Sequence, residues 1–301
     1  MLRVPVGPGA SHVERYGHGG TPFILLHGFG TCSFLWRTIA PRLADAGHTA
    51  YAIDLFGHGE SDRTPGADFG IAAQAEYLDA AMTALRVARG VLVGNDLGAN
   101  VALRLAARRP DRVARQVLIN PPAFDELPAR DVTTMQRSTA RFAFRVTRGV
   151  LGAAPLLQTV LEGSVATAEA MPMRLVARYL APFAGQDGVN HLLALAASIR
   201  NDDFDDLEPG DIRAPTLIVR GDEDGWVSGH IADRLERALP NAQLTRMDGV
   251  GRLIPEEAPD ALCELLLNFV STPTESLAAP AVPPAALPGA TSNATRDERI
   301  T

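Results

Sequence analysis

Residues 91 to 108 constrain this chain more than any other stretch. Val91-Leu92-Val93 is a short apolar, β-branched run, Gly94-Asn95-Asp96-Leu97-Gly98 sets one acid between glycines, and Ala99 to Arg108 carries a helical pattern. A strand that turns sharply into a helix exposes one side chain, here Asp96, above the sheet. It also aims the next backbone N–H, that of Leu97, at the same space.

Similar runs recur at 23 to 26, 50 to 54, 116 to 120 and 215 to 220, separated by longer helical patterns. Runs that stay apolar rather than alternating mark strands buried on both faces, so the expected fold class is α/β with a mostly parallel sheet flanked by helices. Between Pro121 and Arg213 the pattern becomes wholly helical, around 132 to 150, 154 to 163, 168 to 181 and 189 to 199. Its apolar residues Phe142, Phe144, Leu156, Leu157, Met171, Met173, Tyr179, Phe183, Leu192 and Leu193 are expected to divide between core and cleft. With 301 residues, 46% of them hydrophobic, the chain can fill one large core, and residues 1–271 are read as one domain. Its core is assigned to 20–122 and 213–271, with the helical insertion at 123–212, after the sixth strand. The Ala-, Pro- and Ser-rich stretch 272–301 has too few large apolar groups to fold and is expected to be a disordered tail.

A net charge of −7 without a clustered basic face argues against a nucleic-acid partner. No run is long enough for a membrane span, and the N-terminus lacks a signal-peptide apolar region, so a cytoplasmic protein is expected. Cys32 and Cys263 are read as reduced, packed thiols. All 28 basic residues are arginine, which excludes Schiff-base chemistry on a lysine of this chain. Asn201-Asp202-Asp203-Phe204-Asp205-Asp206 lacks the spacing of a calcium loop, and no metal or cofactor is implied. Oligomeric state is not encoded in any readable feature.

Five segments, in order, resemble the α/β-hydrolase superfamily. Phe23-Ile24-Leu25-Leu26 leads into His27-Gly28-Phe29-Gly30, similar to the family's oxyanion loop. Tyr51-Ala52-Ile53-Asp54 runs into Gly57-His58-Gly59-Glu60-Ser61-Asp62, and the 91–108 unit resembles the nucleophile elbow. Pro215 to Val219 precedes Gly221-Asp222-Glu223-Asp224, where the family keeps its triad acid. Gly249-Val250-Gly251-Arg252 stands where the family has Gly-x-Gly-His. The resemblance implies the α/β-hydrolase fold with a helical cap and a site on a small or medium organic molecule. Asp96, Asp224 and Arg252 take the catalytic positions, and the N–H groups of Phe29 and Leu97 form the oxyanion hole. His27, Gly28, Asn95, Tyr179 and His191 are assigned to substrate binding.

Two positions depart from the serine-hydrolase pattern, and they decide the chemistry. Asp96 replaces the nucleophilic serine; in the haloalkane dehalogenases and epoxide hydrolases of the superfamily an aspartate at this turn attacks carbon and forms an ester. Arg252 replaces the histidine that would activate water, and arginine keeps its proton at physiological pH. Other marks of those enzymes also differ: Leu97 stands where a halide-binding tryptophan follows the nucleophile, Tyr179 is the only tyrosine between Pro121 and Arg213, and Gly30 replaces a proline. The reading preferred on sequence is therefore non-hydrolytic proton transfer, such as epimerisation, cyclisation, elimination or lyase chemistry. In it Asp96 is the base and Arg252 an anion clamp, with a natural-product pathway as context. The alternatives are an Asp-nucleophile hydrolase using another base, for which His191 is the candidate, and a ligand-binding pseudoenzyme.

Overall fold

The structure is a computed structural model and describes residues 1–137 and 154–273. Among these, eight strands form one sheet: β1 (Leu2–Pro5), β2 (Ala10–Tyr16), β3 (Pro22–Leu26), β4 (Thr49–Ile53), β5 (Gly90–Asn95), β6 (Val113–Ile119), β7 (Thr216–Gly221) and β8 (Ala242–Met247). Their order is β1-β2-β4-β3-β5-β6-β7-β8. The pairs β1–β2 and β2–β4 are antiparallel and the others parallel.

Parallel neighbours need crossovers, and helices supply them. These are α1 (Ile39–Asp45), α2 (Ile71–Ala84), α3 (Leu97–Arg108) and α8 (Gly229–Ala238), while α9 (Ile254–Glu257) and α10 (Pro259–Ser271) follow β8. The five anticipated runs became β3 to β7, and every residue of β4, β5 and β7 is buried. Gly98 lets α3 approach the sheet, because a Cβ there would lie 2.5 Å from the Leu26 carbonyl oxygen. Leu26 pairs in register with Gly94, and Asn95 with Ile119. The carboxyl ends of β3, β5, β6 and β7 thus come together, and the loops that follow them share one end of the sheet, where open α/β sheets place their ligands.

Between β6 and β7 the described residues form α4 (Arg130–Gln136), α5 (Ala154–Glu162), α6 (Met173–Leu180) and α7 (Gly185–Ser198). The helix anticipated from 132 begins two residues earlier; its continuation beyond 137, with Phe142 and Phe144, lies outside the described residues, as do the side chain of Leu156 and residues 274–301 of the anticipated tail. Leu157, Met171, Tyr179, Phe183, Leu192 and Leu193 are buried, whereas Met173 is 61% exposed and lies outside the core. No described helix is long and apolar enough to cross a membrane. Both cysteines are free and buried.

Tyr179 fastens these helices to the core. Its hydroxyl donates to Glu256 Oε1 at 2.5 Å, and Arg37 grips the same carboxylate with two bonds of 2.6 and 2.7 Å. The Tyr179→Phe variant is expected to lose about 1.5 kcal/mol in urea unfolding, at the low end for a bond to a charged acceptor because Arg37 keeps Glu256 paired. An unchanged midpoint would show that the hydroxyl adds nothing to this attachment.

Candidate active site

Asp96 occupies the turn between β5 and α3 with φ 52° and ψ −115°, a backbone conformation that a residue with a side chain rarely adopts. That geometry raises its carboxylate above the sheet end. Oδ2 accepts the Phe29 N–H at 2.9 Å. Gly28 makes this approach possible: a Cβ there would sit 2.9 Å from both Cβ and Oδ2 of Asp96. Leu97 opens α3, where a backbone N–H has no partner within the helix.

Oδ1 of Asp96 accepts a short, charged hydrogen bond from Arg252 Nη2. The loop carrying Arg252 is fixed through its main chain. Ser164, just beyond α5, receives the N–H groups of Arg252 and Leu253 on its carbonyl at 2.9 and 3.0 Å. The Arg252 carbonyl accepts the side-chain amides of Asn95 and Asn120, each at 3.1 Å. Asn120, directly after β6, adopts φ 45° and also accepts the Gly221 N–H at 3.0 Å, so one side chain ties the ends of β6 and β7 to this loop.

The other terminal nitrogen of Arg252 meets Asp131, in the first turn of α4, at 3.1 Å. Asp131 was not among the residues anticipated from sequence. An acid near a helix start is ordinary there, since it faces the positive end of the helix dipole, so nothing local distinguishes it. Arg220 was also overlooked, although an arginine at the end of a fully buried strand needs a partner. It holds Asp224 Oδ2 at 3.0 Å, and Asp224 Oδ1 accepts the N–H groups of Trp226 and Val227 at 2.8 and 3.3 Å. The Asp224 carboxylate therefore acts on Arg252 through its charge and is held by Arg220.

Asp96, Arg252, Asp131 and Asp224 are all at least 94% buried. Burial raises the Asp96 carboxyl above its ordinary range; the Arg252 cation opposes the rise and the Asp131 charge adds to it. Burial likewise raises Asp224 against the two arginines. For Arg252, burial alone would disfavour the cation, but Asp131, Asp96 and Asp224 outweigh it and hold the proton more firmly than in water.

Four of the five residues assigned to substrate binding are committed elsewhere. His27 is fully buried; its Nδ1–H donates to Gly28 O at 2.8 Å and Nε2 accepts the Leu55 N–H at 3.0 Å, leaving no ring nitrogen for a ligand. Asn95 is fully buried with its amide on the Arg252 carbonyl, and Tyr179 is spent on Glu256. His191 donates Nε2–H to Gly57 O at 2.5 Å and packs against the rings of Phe69 and Phe183, whereas the carboxylate of Asp96 is bonded by Phe29 and Arg252. Gly28 lies against the Asp96 side chain, and Asn95 directly precedes Asp96 in the chain. The acid-rich 201–206 stretch is a turn tied to the core: Asp203 accepts the Ile71 N–H at 3.2 Å and Asp206 pairs with Arg104 and Arg108.

A family model described as alpha/beta hydrolase fold matches residues 21–259. The chain belongs to the α/β hydrolase family. Among relatives in this family, a haloalkane dehalogenase of Mycolicibacterium paratuberculosis is 29% identical over 262 residues, covering 83% of each chain. Another haloalkane dehalogenase, from Mycobacterium marinum, is 34% identical over 165 residues; the match spans only 52% of that enzyme and 54% of this chain. A solved structure described as Est816, an N-acyl homoserine lactone degrading enzyme, superposes with a TM-score of 0.73 at 26% identity, over 89% of this chain and all of that one.

Proposed function

We propose that in this α/β hydrolase Asp96 attacks the carbon of a small neutral electrophile, an alkyl halide or epoxide, in the first half-reaction of a hydrolysis. The observation that carries the reading is the Asp96 carboxylate itself: it sits on a strained turn, and the Phe29 N–H holds Oδ2 in place. Oδ1 retains a lone pair besides the one Arg252 uses. As its bond to carbon forms, the carbon–halogen bond breaks and halide leaves; with an epoxide one ring carbon–oxygen bond breaks, and the alkoxide, still held by the other carbon, takes a proton from solvent water, which leaves as hydroxide. Similarity to haloalkane dehalogenases favours attack on carbon, as the first half of a hydrolysis, over proton transfer.

The second half of such a reaction needs a base to take a proton from water, and Arg252 cannot accept one. With His191 packed elsewhere, the expected end point is an alkyl ester on Asp96. Incubation with 1-bromobutane or styrene oxide should add one alkyl group per chain, seen by intact-protein mass spectrometry, and Asp96→Asn should remove the adduct completely. An unmodified parent protein across both reagents would refute attack by Asp96. Activated aryl esters should not turn over, because attack by Asp96 on an ester gives an anhydride with no histidine to manage protons.

The rate of adduct formation should depend on pH. Only ionised Asp96 attacks, and burial raises its carboxyl above the ordinary value of 3.8. The rate should therefore climb through the raised value and then level off; a rate already flat from pH 4 upward would contradict it. Stability moves in the opposite sense: a raised carboxyl stabilises the folded state fully below 3.8, and that contribution is lost as pH rises through the folded value.

A second reading keeps Asp96 as a proton acceptor, with Arg252 clamping an anionic substrate. The raised Asp96 carboxyl favours it, since a more basic carboxylate removes protons better. It predicts exchange of deuterium into a carbon acid without any adduct.

A further inference from the structure

The two terminal nitrogens of Arg252 face carboxylates of the chain, while its buried Nε has no hydrogen-bond partner among the described residues. Nη2 holds Asp96, and Nη1 faces Asp131 at 3.1 Å across the boundary between the helical insertion and the sheet. Asp131 is 98% buried, and its oxygens, shielded from solvent, have no well-formed hydrogen bond, so the ion pair is its one strong attachment among the described residues. Such a carboxylate sits where the carboxylate of an anionic ligand would dock.

The charge count points the same way. Among the described residues the buried cluster sets Asp96, Asp131 and Asp224 against Arg252 and Arg220, three negative groups against two positive. An incoming anion would add a second uncompensated negative charge where the dielectric is low and Coulomb energies are large. It would also have to displace a tethered carboxylate and leave it buried without a partner, which is costly. A neutral electrophile meets neither obstacle. When it alkylates Asp96 the cluster becomes two against two, so the ester is its charge-balanced state.

We propose that Asp131 sets the substrate charge of this site: it fills the anion seat on Arg252, so neutral electrophiles react at Asp96 and their carboxylate-bearing counterparts are turned away. This rests on Asp96 being the reacting group, and selectivity by like charge is how such sites reject a competitor. On reaction, the Asp96 oxygen–carbon bond forms, the carbon–bromine bond breaks and bromide leaves, in the same way for both substrates.

The test compares the parent protein with Asp131→Asn, an isosteric change that empties the seat of charge while Arg252 keeps Asp96. Two readouts are used. The first is isobutyrate binding by calorimetry, which involves no reaction. Affinity should rise tenfold or more in the variant; equal affinity in both proteins would overturn the proposal. The second is the ratio of adduct-formation rates for 1-bromobutane and 2-bromobutanoate, which should favour the neutral reagent in the parent and fall at least tenfold in the variant. An unchanged ratio would also overturn it. If neither reagent modifies either protein, attack by Asp96 is wrong, and the isobutyrate titration still decides the role of Asp131. Should Asp131→Asn fail to fold, Asp131→Ser carries the same comparison, and tight isobutyrate binding by the parent alone refutes the idea.

Discussion

Replacing Arg252 by histidine, together with Asp131→Asn, is expected to turn a protein that stops at one alkyl group per chain into one that turns over. Histidine is the side chain whose proton affinity suits removal of a proton from water near neutral pH. The Asp131 change accompanies it because an imidazole cannot satisfy two carboxylates that shared a guanidinium, and a buried unpaired acid would obscure the result. The Phe29 N–H, already on Asp96 Oδ2, would steady the oxyanion formed when water attacks the ester carbonyl. Asp224, held by Arg220 and two backbone N–H groups, lies close enough to act on residue 252 by charge and would favour the protonated imidazole. Bromide released from 1-bromobutane should reach one equivalent per chain in the parent and exceed ten in the double variant. A folded double variant that still stops at one equivalent would show that lack of a base at 252 is not what arrests the ester.

The largest stability effect is expected for Arg252→Met. Methionine fills a similar volume, so packing is nearly kept, but Asp96 and Asp131 both lose their cation inside a dry region. Removing one partner of a buried ion pair typically costs about 3–5 kcal/mol, more than replacing the whole pair by apolar groups. Urea unfolding should show that loss near neutral pH. Adding Asp96→Asn and Asp131→Asn should recover most of it, since the neutral amides no longer need the cation. A loss below about 1 kcal/mol would mean that water reaches the carboxylates and screens them.

The frame of the molecule was legible because β3 to β7 are buried at nearly every position, and strands with almost no wet side are mainly apolar, with few polar residues such as Gln116 and Arg220. The flanking strands were harder. β2 mixes Ser11, His12, Glu14 and Arg15 with its apolar residues, and β8 has only half-buried and exposed positions, so neither has the continuous run that marked the centre. At the site, Asp96 and Arg252 stood out because each breaks a familiar local pattern and their meeting follows from the fold. Asp131 did not, because its meaning lies 121 residues away in Arg252 and its own surroundings look like any helix start. The histidines and Tyr179 misled for the opposite reason. They are residue types that chemistry often uses, and here both nitrogens of His27, Nε2 of His191 and the Tyr179 hydroxyl bond to the core and its loops.

The main chain at position 252 is gripped from three directions, by the Ser164 carbonyl and by the amides of Asn95 and Asn120, and none of these bonds involves its side chain. The position works as a socket. Its seating is guaranteed by neighbours, so the group it presents to Asp96 can be exchanged without moving the peptide that carries it. A single substitution here can then change the chemistry in one step, and whatever side chain replaces the arginine will face the acid opposite in α4.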